Sequence, residues 1–393
     1  MGSHSIIAPS SAHIWGAPNG CTGWVLMSQQ FPDLEDDTPE AAEGTASHEI
    51  GANLILRQAV GNISNRAEHY VGRTAENDVI FNEEMFDMAK LYADDVGDIM
   101  RSTGVFGGPN FNVEQHVKAP KIHELSEGTP DMWLFDQKTG HLYVWDYKFG
   151  FELVEVFENW QLINYVEGIL ELLEINGITD QHITVHMRVA QPRAYHRDGE
   201  IREWVVKASD LRAHFNTLHM NAHIALSADA ICRSGPHCKH CSARTHCDTA
   251  IRAGMGLYEV SMKPTPIDMS PEAKGIQLAI VKRARKQLES LEAGFEEQIK
   301  HDIRSGKNVP GWISQMGKGR EKWNKPDAEV IAMGDLMGFD IRKPLEAITP
   351  KQAVKLGIDD TVIKAYSITP NTGLKIVPDD GNKAKLLFGA IKS

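Results

Sequence analysis

Residues 128–148 read Gly-Thr-Pro-Asp-Met-Trp-Leu-Phe-Asp-Gln-Lys-Thr-Gly-His-Leu-Tyr-Val-Trp-Asp-Tyr-Lys, and this stretch decides the fold class. Met132 to Phe135 and His141 to Tyr147 are apolar and rich in β-forming residues, and Asp136 to Gly140 between them has turn chemistry, so the segment predicts a β-hairpin. Asp131 opens one strand, while Asp146 and Lys148 close the other two residues apart. Strand alternation puts those two on one face.

Working outward, Glu43 to Val60 reads as a helix carrying His48. A second amphipathic helix spans about 81 to 101, with Phe81, Met85, Met88, Leu91, Tyr92 and Val96 near 3.6 spacing. Residues 1 to 45 are otherwise Ser, Pro, Gly and acid rich, apart from Trp24 to Met27. Downstream, the pattern predicts a helix over 154–174, strands over Ile183–Ala190 and Glu203–Lys207, a helix over Ala208–Ala230 and a long helix over 271–305. Alternating strands and helices predict a mixed α/β core. The linker-like stretch after Met262 divides the chain into residues 1–262 and a helical extension over 265–393.

Two carboxylates converging from neighbouring strands offer the hard oxygen ligands that Mg²⁺ or Mn²⁺ prefers. A metal there lowers the pKa of a bound water and offsets charge building on phosphorus, and a lysine beside it orients or deprotonates that water. On the next helix Gln161 and Tyr165 stand four residues apart and share a face. His48, in Gly44-Thr-Ala-Ser-His48, is placed to add a metal ligand.

Four of the five cysteines lie between Cys232 and Cys247. In a chain without a secretory leader pattern, such bunching predicts metal binding rather than disulfides, and a cytoplasmic location. Two sets fit: Cys232, Cys238, Cys241 and Cys247 around Zn²⁺, or the distant Cys21 with Cys238, Cys241 and Cys247. His219 and His223 are spaced like ligands on one helix, but with 17 histidines in the chain a surface pair is the plainer reading. The basic run Lys282, Arg283, Arg285 and Lys286 reads as a solvated helix face.

The net charge of −12 weighs against extensive phosphate contacts without excluding a local basic site. No apolar run approaches a membrane span, and no phosphate-binding Gly-x4-Gly-Lys-[Ser/Thr] loop occurs, which excludes an ATP-driven motor within the chain.

In order, Gly44-x3-His48, Gly128-x2-Asp131, Asp146-x-Lys148 and Gln161-x3-Tyr165 resemble the motifs of the RecB-like branch of the PD-(D/E)xK nucleases, over about residues 8 to 250. The resemblance implies a restriction-endonuclease-like core, a mixed central sheet flanked by helices. It also implies His48, Asp131, Asp146 and the Tyr147 carbonyl as metal ligands, Lys148 as the catalytic lysine, and Gln161 and Tyr165 in support. The Cys21, Cys238, Cys241 and Cys247 set is similar to that of the iron-sulfur members, the AddB-type and CRISPR-associated RecB-like nucleases, which implies a [4Fe-4S] cluster closing the domain. Val309-Pro-Gly-Trp312 and Leu345-x2-Ile-Thr-Pro350 resemble, more loosely, phage-encoded nucleases with a helical extension. The expectation is therefore a Mg²⁺- or Mn²⁺-dependent exonuclease acting on duplex ends or single strands, working in a bacterial host with a single-strand annealing protein. A structure-directed endonuclease, a non-catalytic DNA-binding module and a homo-oligomer stay open at this point.

Overall fold

The computed structural model describes residues 5–32, 39–61, 66–175, 182–262, 268–313 and 327–337, with 359, 361, 362 and 364. Two compact units divide the chain, residues 1–314 and 315–393. In the first unit, the chain opens with α1 (Ala12–Trp15) and α2 (Trp24–Gln30), followed by the longer helices α3 (Pro39–Ala59) and α4 (Glu83–Thr103). Next come β1 (Phe111–Val113), β2 (Val117–Lys118), β3 (Glu127–Gly128), β4 (Met132–Asp136) and β5 (His141–Tyr147). Then follow α5 (Trp160–Ile175), β6 (Thr184–Ala190), β7 (Ile201–Lys207), α6 (Arg212–Ala225), α7 (Asp248–Met262) and α8 (Pro271–Arg304). In the second unit, α9 (Asp327–Met337) is described.

The main sheet has the order β1-β4-β5-β6-β7. Only β5 and β6 run parallel, joined by the crossover through α5; the other neighbours are antiparallel. The β4–β5 hairpin forms as its sequence predicts, with Met132 opposite Trp145. Its turn is built by Asp136, whose carboxylate accepts from Lys138 N at 3.0 Å and Thr139 Oγ1 at 2.6 Å. Gly140 closes the turn at φ 73°, a conformation that suits a residue without Cβ.

Both faces of the hairpin are covered, and alternation sorts its side chains between two cores. Met132, Leu134, Trp145 and Tyr147 pack with Ile50 and Leu54 of α3 and Phe86, Tyr92 and Val96 of α4. Trp133, Phe135, Leu142 and Val144 pack with Leu162, Ile163 and Val166 of α5 and Leu218 of α6. Each such fully buried aliphatic side chain contributes about 1.5–3 kcal/mol. The result is a mixed sheet between two helical layers, so the α/β class read from the sequence is the one found.

The differences lie at the element ends. Helix α5 starts at Trp160, six residues later than the apolar pattern predicts, because the Asn159 carboxamide accepts from Leu162 N at 3.1 Å and caps it. The helix predicted to reach residue 230 begins with a 3-10 turn at Ala208–Leu211 and ends at Ala225. Part of the segment read as irregular near the N-terminus forms a 3-10 turn at Pro9–Ser11, α1 and α2, which bury Ile7, Trp15 and Val25. Helix α8, which the sequence places in an extension, lies within the first compact unit. Its Ala284, Gln287, Ser290 and Gly294 are buried, Gln287 donates to Ala250 O of α7 at 3.2 Å, and Ser290 donates to Cys238 O at 3.0 Å. No described helix is long and apolar enough to cross a membrane.

Candidate active site

The alternation that sorts the core also aims the polar ends of the hairpin. Asp146 follows Leu142 and Val144 in parity and so faces α5, and Lys148 extends the same face one step beyond β5. Helix α5 answers with Gln161 and Tyr165, one turn apart. The Gln161 amide joins them: Nε2 donates to Asp146 Oδ1 at 3.0 Å and lies 3.4 Å from Tyr165 Oη, while Oε1 accepts from Lys148 Nζ at 3.1 Å. Lys148 Nζ is also 3.1 Å from Asp146 Oδ1. The backbone of Lys148 is fixed to β6 through its N–H, which donates to Ala190 O at 2.8 Å.

Asp131, just before β4, is held from two other directions. Its Oδ2 accepts from Tyr147 N at 2.6 Å, and its Oδ1 lies 3.1 Å from His48 Nδ1, on α3. The Tyr147 ring points into the α3/α4 layer, where its hydroxyl pairs with Ser47 at 2.8 Å and its face stacks on Tyr92 at 4.9 Å. His48, Asp131, Asp146, Tyr147, Lys148, Gln161 and Tyr165, singled out from sequence on four separate segments, thus form one polar chain across the end of the sheet.

Electrostatics separates the two carboxyls. Burial raises Asp146 above the usual carboxylate range, and Lys148 offsets this only in part. Burial acts on Asp131 as well, but His48, Lys148 and the Tyr147 N–H outweigh it and hold that carboxyl low. Burial disfavours the charged forms of His48 and Lys148, yet the neighbouring Asp131 and Asp146 carboxylates raise both. The Asp146 Oδ2 atom is buried with no hydrogen-bond partner among the described residues. Among the described residues, no three His, Cys, Asp or Glu side chains stand ready-gathered around one point as metal ligands. The donor set still fits a hard cation: two carboxylates and an imidazole on one polar chain, with a buried carboxylate oxygen awaiting a partner.

The cysteines also come together. The segments around Cys21 and Cys232 are laced by backbone, with Gly23 N donating to Ile231 O at 3.0 Å, Ile231 N to Thr22 Oγ1 at 3.0 Å and Arg233 N to Cys21 Sγ at 3.3 Å. A Cβ on Gly23 would lie 2.6 Å from Cys232 Sγ, so only glycine permits this approach. Burial and then the neighbouring Cys247 and Cys21 thiols push Cys232 up to about 12. Burial also pushes Cys241 up to about 11, with Cys238, Cys21 and Cys247 adding to it. The five thiols therefore influence one another electrostatically, although no three of them stand gathered around one point as metal ligands among the described residues. All five are free of disulfides.

Several participants carry no sequence signal of their own. Ser47 holds the Tyr147 hydroxyl, and His237, 2.8 Å from Arg233 O, is raised to about 10 by the neighbouring Cys21 and Cys238 thiols. Glu114, at φ 48°, donates its N–H to Asp131 O at 3.0 Å. The remaining candidates behave as surface groups. His219 Nδ1 is 3.0 Å from Lys121 O, and His223 meets the rings of His219 and His123 edge-on. Lys282, Arg283, Arg285 and Lys286 are exposed on α8.

The family model described as a protein of unknown function, DUF2800, matches residues 4–357, and the chain belongs to that family.

Proposed function

We propose that the protein is a Mg²⁺- or Mn²⁺-dependent DNA exonuclease with a RecB-like PD-(D/E)xK core, processing DNA ends for recombination alongside a single-strand annealing partner. The observation that carries this reading is the Asp146, Lys148 and Gln161 cluster on the α5 face of the hairpin, to which Asp131 is joined through the Tyr147 N–H and His48. His48, Asp131, Asp146 and the Tyr147 carbonyl would hold the metal ion, which when bound offsets phosphate charge and acidifies water. Lys148, held by Asp146 and Gln161, would orient or deprotonate the attacking water beside the scissile phosphate. Gln161 fixes the Lys148 ammonium against Asp146, and Tyr165 supports Gln161 from the next helical turn. His48 and the Tyr147 N–H hold the Asp131 carboxylate in place through contacts of 3.1 Å and 2.6 Å.

The cysteines belong to the same proposal as a structural clasp. Cys21, Cys238, Cys241 and Cys247 would hold a [4Fe-4S] cluster, with Zn²⁺ on Cys232, Cys238, Cys241 and Cys247 as the competing occupant. Protein purified without oxygen should be brown and contain iron; colourless, zinc-rich protein decides for the competitor.

The test of the activity is digestion of end-labelled linear duplex with Mn²⁺, comparing the parent with Lys148→Ala. The expected result is end-dependent release of nucleotides that Lys148→Ala slows by roughly 10²- to 10⁴-fold. Cutting of closed circular DNA at the same rate would make it an endonuclease. An inert parent that binds DNA as well as Lys148→Ala does would reduce the protein to a binding module.

A further inference from the structure

The loop that leaves Lys148 for α5 carries a phenylalanine in an unusual setting. Phe149 is buried, whereas Phe151 is 67% exposed, three residues beyond the candidate catalytic lysine. The Arg193 guanidinium, from the segment after β6, lies over both rings, 4.2 Å from the Phe149 centroid and 4.0 Å from that of Phe151. Arg193 is itself fixed: Nε is 3.2 Å from Glu84, Nη1 is 3.7 Å from Glu43, and Nη1 donates to Phe149 O at 3.4 Å. The loop backbone is pinned as well. The buried Gln191 amide donates to Gly150 O at 3.0 Å and to Glu152 O at 2.7 Å, and its carbonyl accepts from Val154 N at 3.0 Å. On the outer side Glu152 pairs with Lys239 at 2.9 Å and His240 at 3.5 Å.

A phenyl ring held this firmly yet left in water gains little from folding, since its burial is incomplete. The other strongly exposed ring of the loop, Phe157, leans on Trp204 with centroids 5.2 Å apart, so Phe151 depends on Arg193 for its ordering. A guanidinium on one face of an aromatic ring and solvent on the other make a flat platform of one ring's width, suited to one planar partner rather than to a broad protein interface. Preorganisation by Gln191 and Arg193 lowers the ordering cost of binding. Beside a site that hydrolyses phosphodiesters, the planar group brought within reach is a nucleobase, and aromatic side chains hold bases by stacking whatever their sequence.

We infer that Phe151, backed by Arg193, is a stacking platform for an unpaired nucleobase, so that the strand entering the site is single at that point. The inference rests on the nuclease reading and adds the state of its substrate. The test measures binding without divalent cation, by fluorescence anisotropy, for an oligothymidylate, an abasic strand of equal length and a blunt duplex. Phe151→Ala should weaken the oligothymidylate by roughly 5- to 150-fold and leave the abasic strand unchanged. Phe151→Trp should restore binding, with tryptophan emission quenched by the oligothymidylate alone. Equal loss on abasic and base-bearing strands, no loss on either, or a loss confined to the blunt duplex would each overturn the platform. If the parent cuts end-labelled DNA and Phe151→Ala binds all three probes as the parent does, the platform falls and the nuclease stands. If the parent neither binds nor cuts any of them, both fall.

Discussion

Gln161 touches Asp146, Lys148 and Tyr165 with one planar amide, so its loss should disturb the active site without unfolding it. Gln161→Ala leaves the Lys148 ammonium free to swing about Asp146. Removing such supporting hydrogen bonds costs roughly 10- to 100-fold in metal affinity or activity. The expected outcome is a fall of that size in cleavage rate with a thermal midpoint close to the parent's; a variant that cleaves normally would remove Gln161 from the machinery. Two turns along α5, Glu167 tests burial rather than catalysis. It is 2% exposed, its Oε2 has no hydrogen-bond partner among the described residues, and burial pushes its carboxyl up to about 7 although Lys121 pulls the other way. In the unfolded chain a glutamate titrates near its ordinary value of about 4.3. Between those two values the folded state binds more protons, so stability falls as pH rises through that window and the penalty is complete above about 7. Glu167→Gln should therefore stabilise the protein at pH ~8 by about 3–4 kcal/mol and have little effect at pH ~4. Urea midpoints at the two pH values check it, and a gain of equal size at both would show that charge is not the cause.

Helices α3 and α4 position His48 only if they stay close, and Gly51 is where they meet. A Cβ there would stand 3.1 Å from the Tyr92 ring, which stacks on Tyr147. Gly51→Val should push Tyr92 and Tyr147 and destabilise by about 1–3 kcal/mol, as overpacking does. Because Tyr147 N–H and His48 both hold Asp131, cleavage should drop beyond what the fraction unfolded explains. Activity measured well below the melting transition separates the two effects. The sequence carries the hairpin, α3, α4 and α8 clearly, because each has a sustained period of its own. It also places Asp146 and Lys148 on one face, since strand alternation is a local rule. Strand β1 is less legible: its three residues pair with β4 across more than fifteen intervening positions, and only that distant partner makes them a strand. The start of α5 is not legible in the apolar pattern, because Val154, Val156 and Phe157 continue it upstream, while the decisive signal is the single capping side chain of Asn159. Ser47, His237 and Arg193 escape a reading of motifs for the same reason, as each acts through partners brought by other segments.

At the scale of the whole chain, the two ends of the first compact unit's sheet-bearing region are drawn together at the cysteines. Cys21 and Cys238 are more than two hundred residues apart in sequence, and the Gly23–Ile231 and Arg233–Cys21 hydrogen bonds close that interval before any bound group is considered. Arg244 extends the closure to α8, donating to Ser290 O at 3.0 Å and to Cys241 O at 2.8 Å. A cluster on Cys21, Cys238, Cys241 and Cys247 would act on this interval as a cross-link does, removing chain entropy from the unfolded state, whereas zinc on Cys232, Cys238, Cys241 and Cys247 would not span it. For a loop of that length the chain-entropy model gives an upper figure of about 5 kcal/mol. Cys21→Ser should then lower the thermal midpoint and expose α1 and α2 to protease first, because Trp15 and Val25 enter the core only while this end stays closed. If zinc on Cys232, Cys238, Cys241 and Cys247 is the occupant, Cys21→Ser should keep its metal, whereas Cys232→Ser should lose it. With an iron-sulfur cluster on Cys21, the pattern reverses. Metal content, melting and limited proteolysis of the two variants together decide the clasp: unchanged melting and an unchanged digestion pattern in both would show that the backbone hydrogen bonds alone hold the ends.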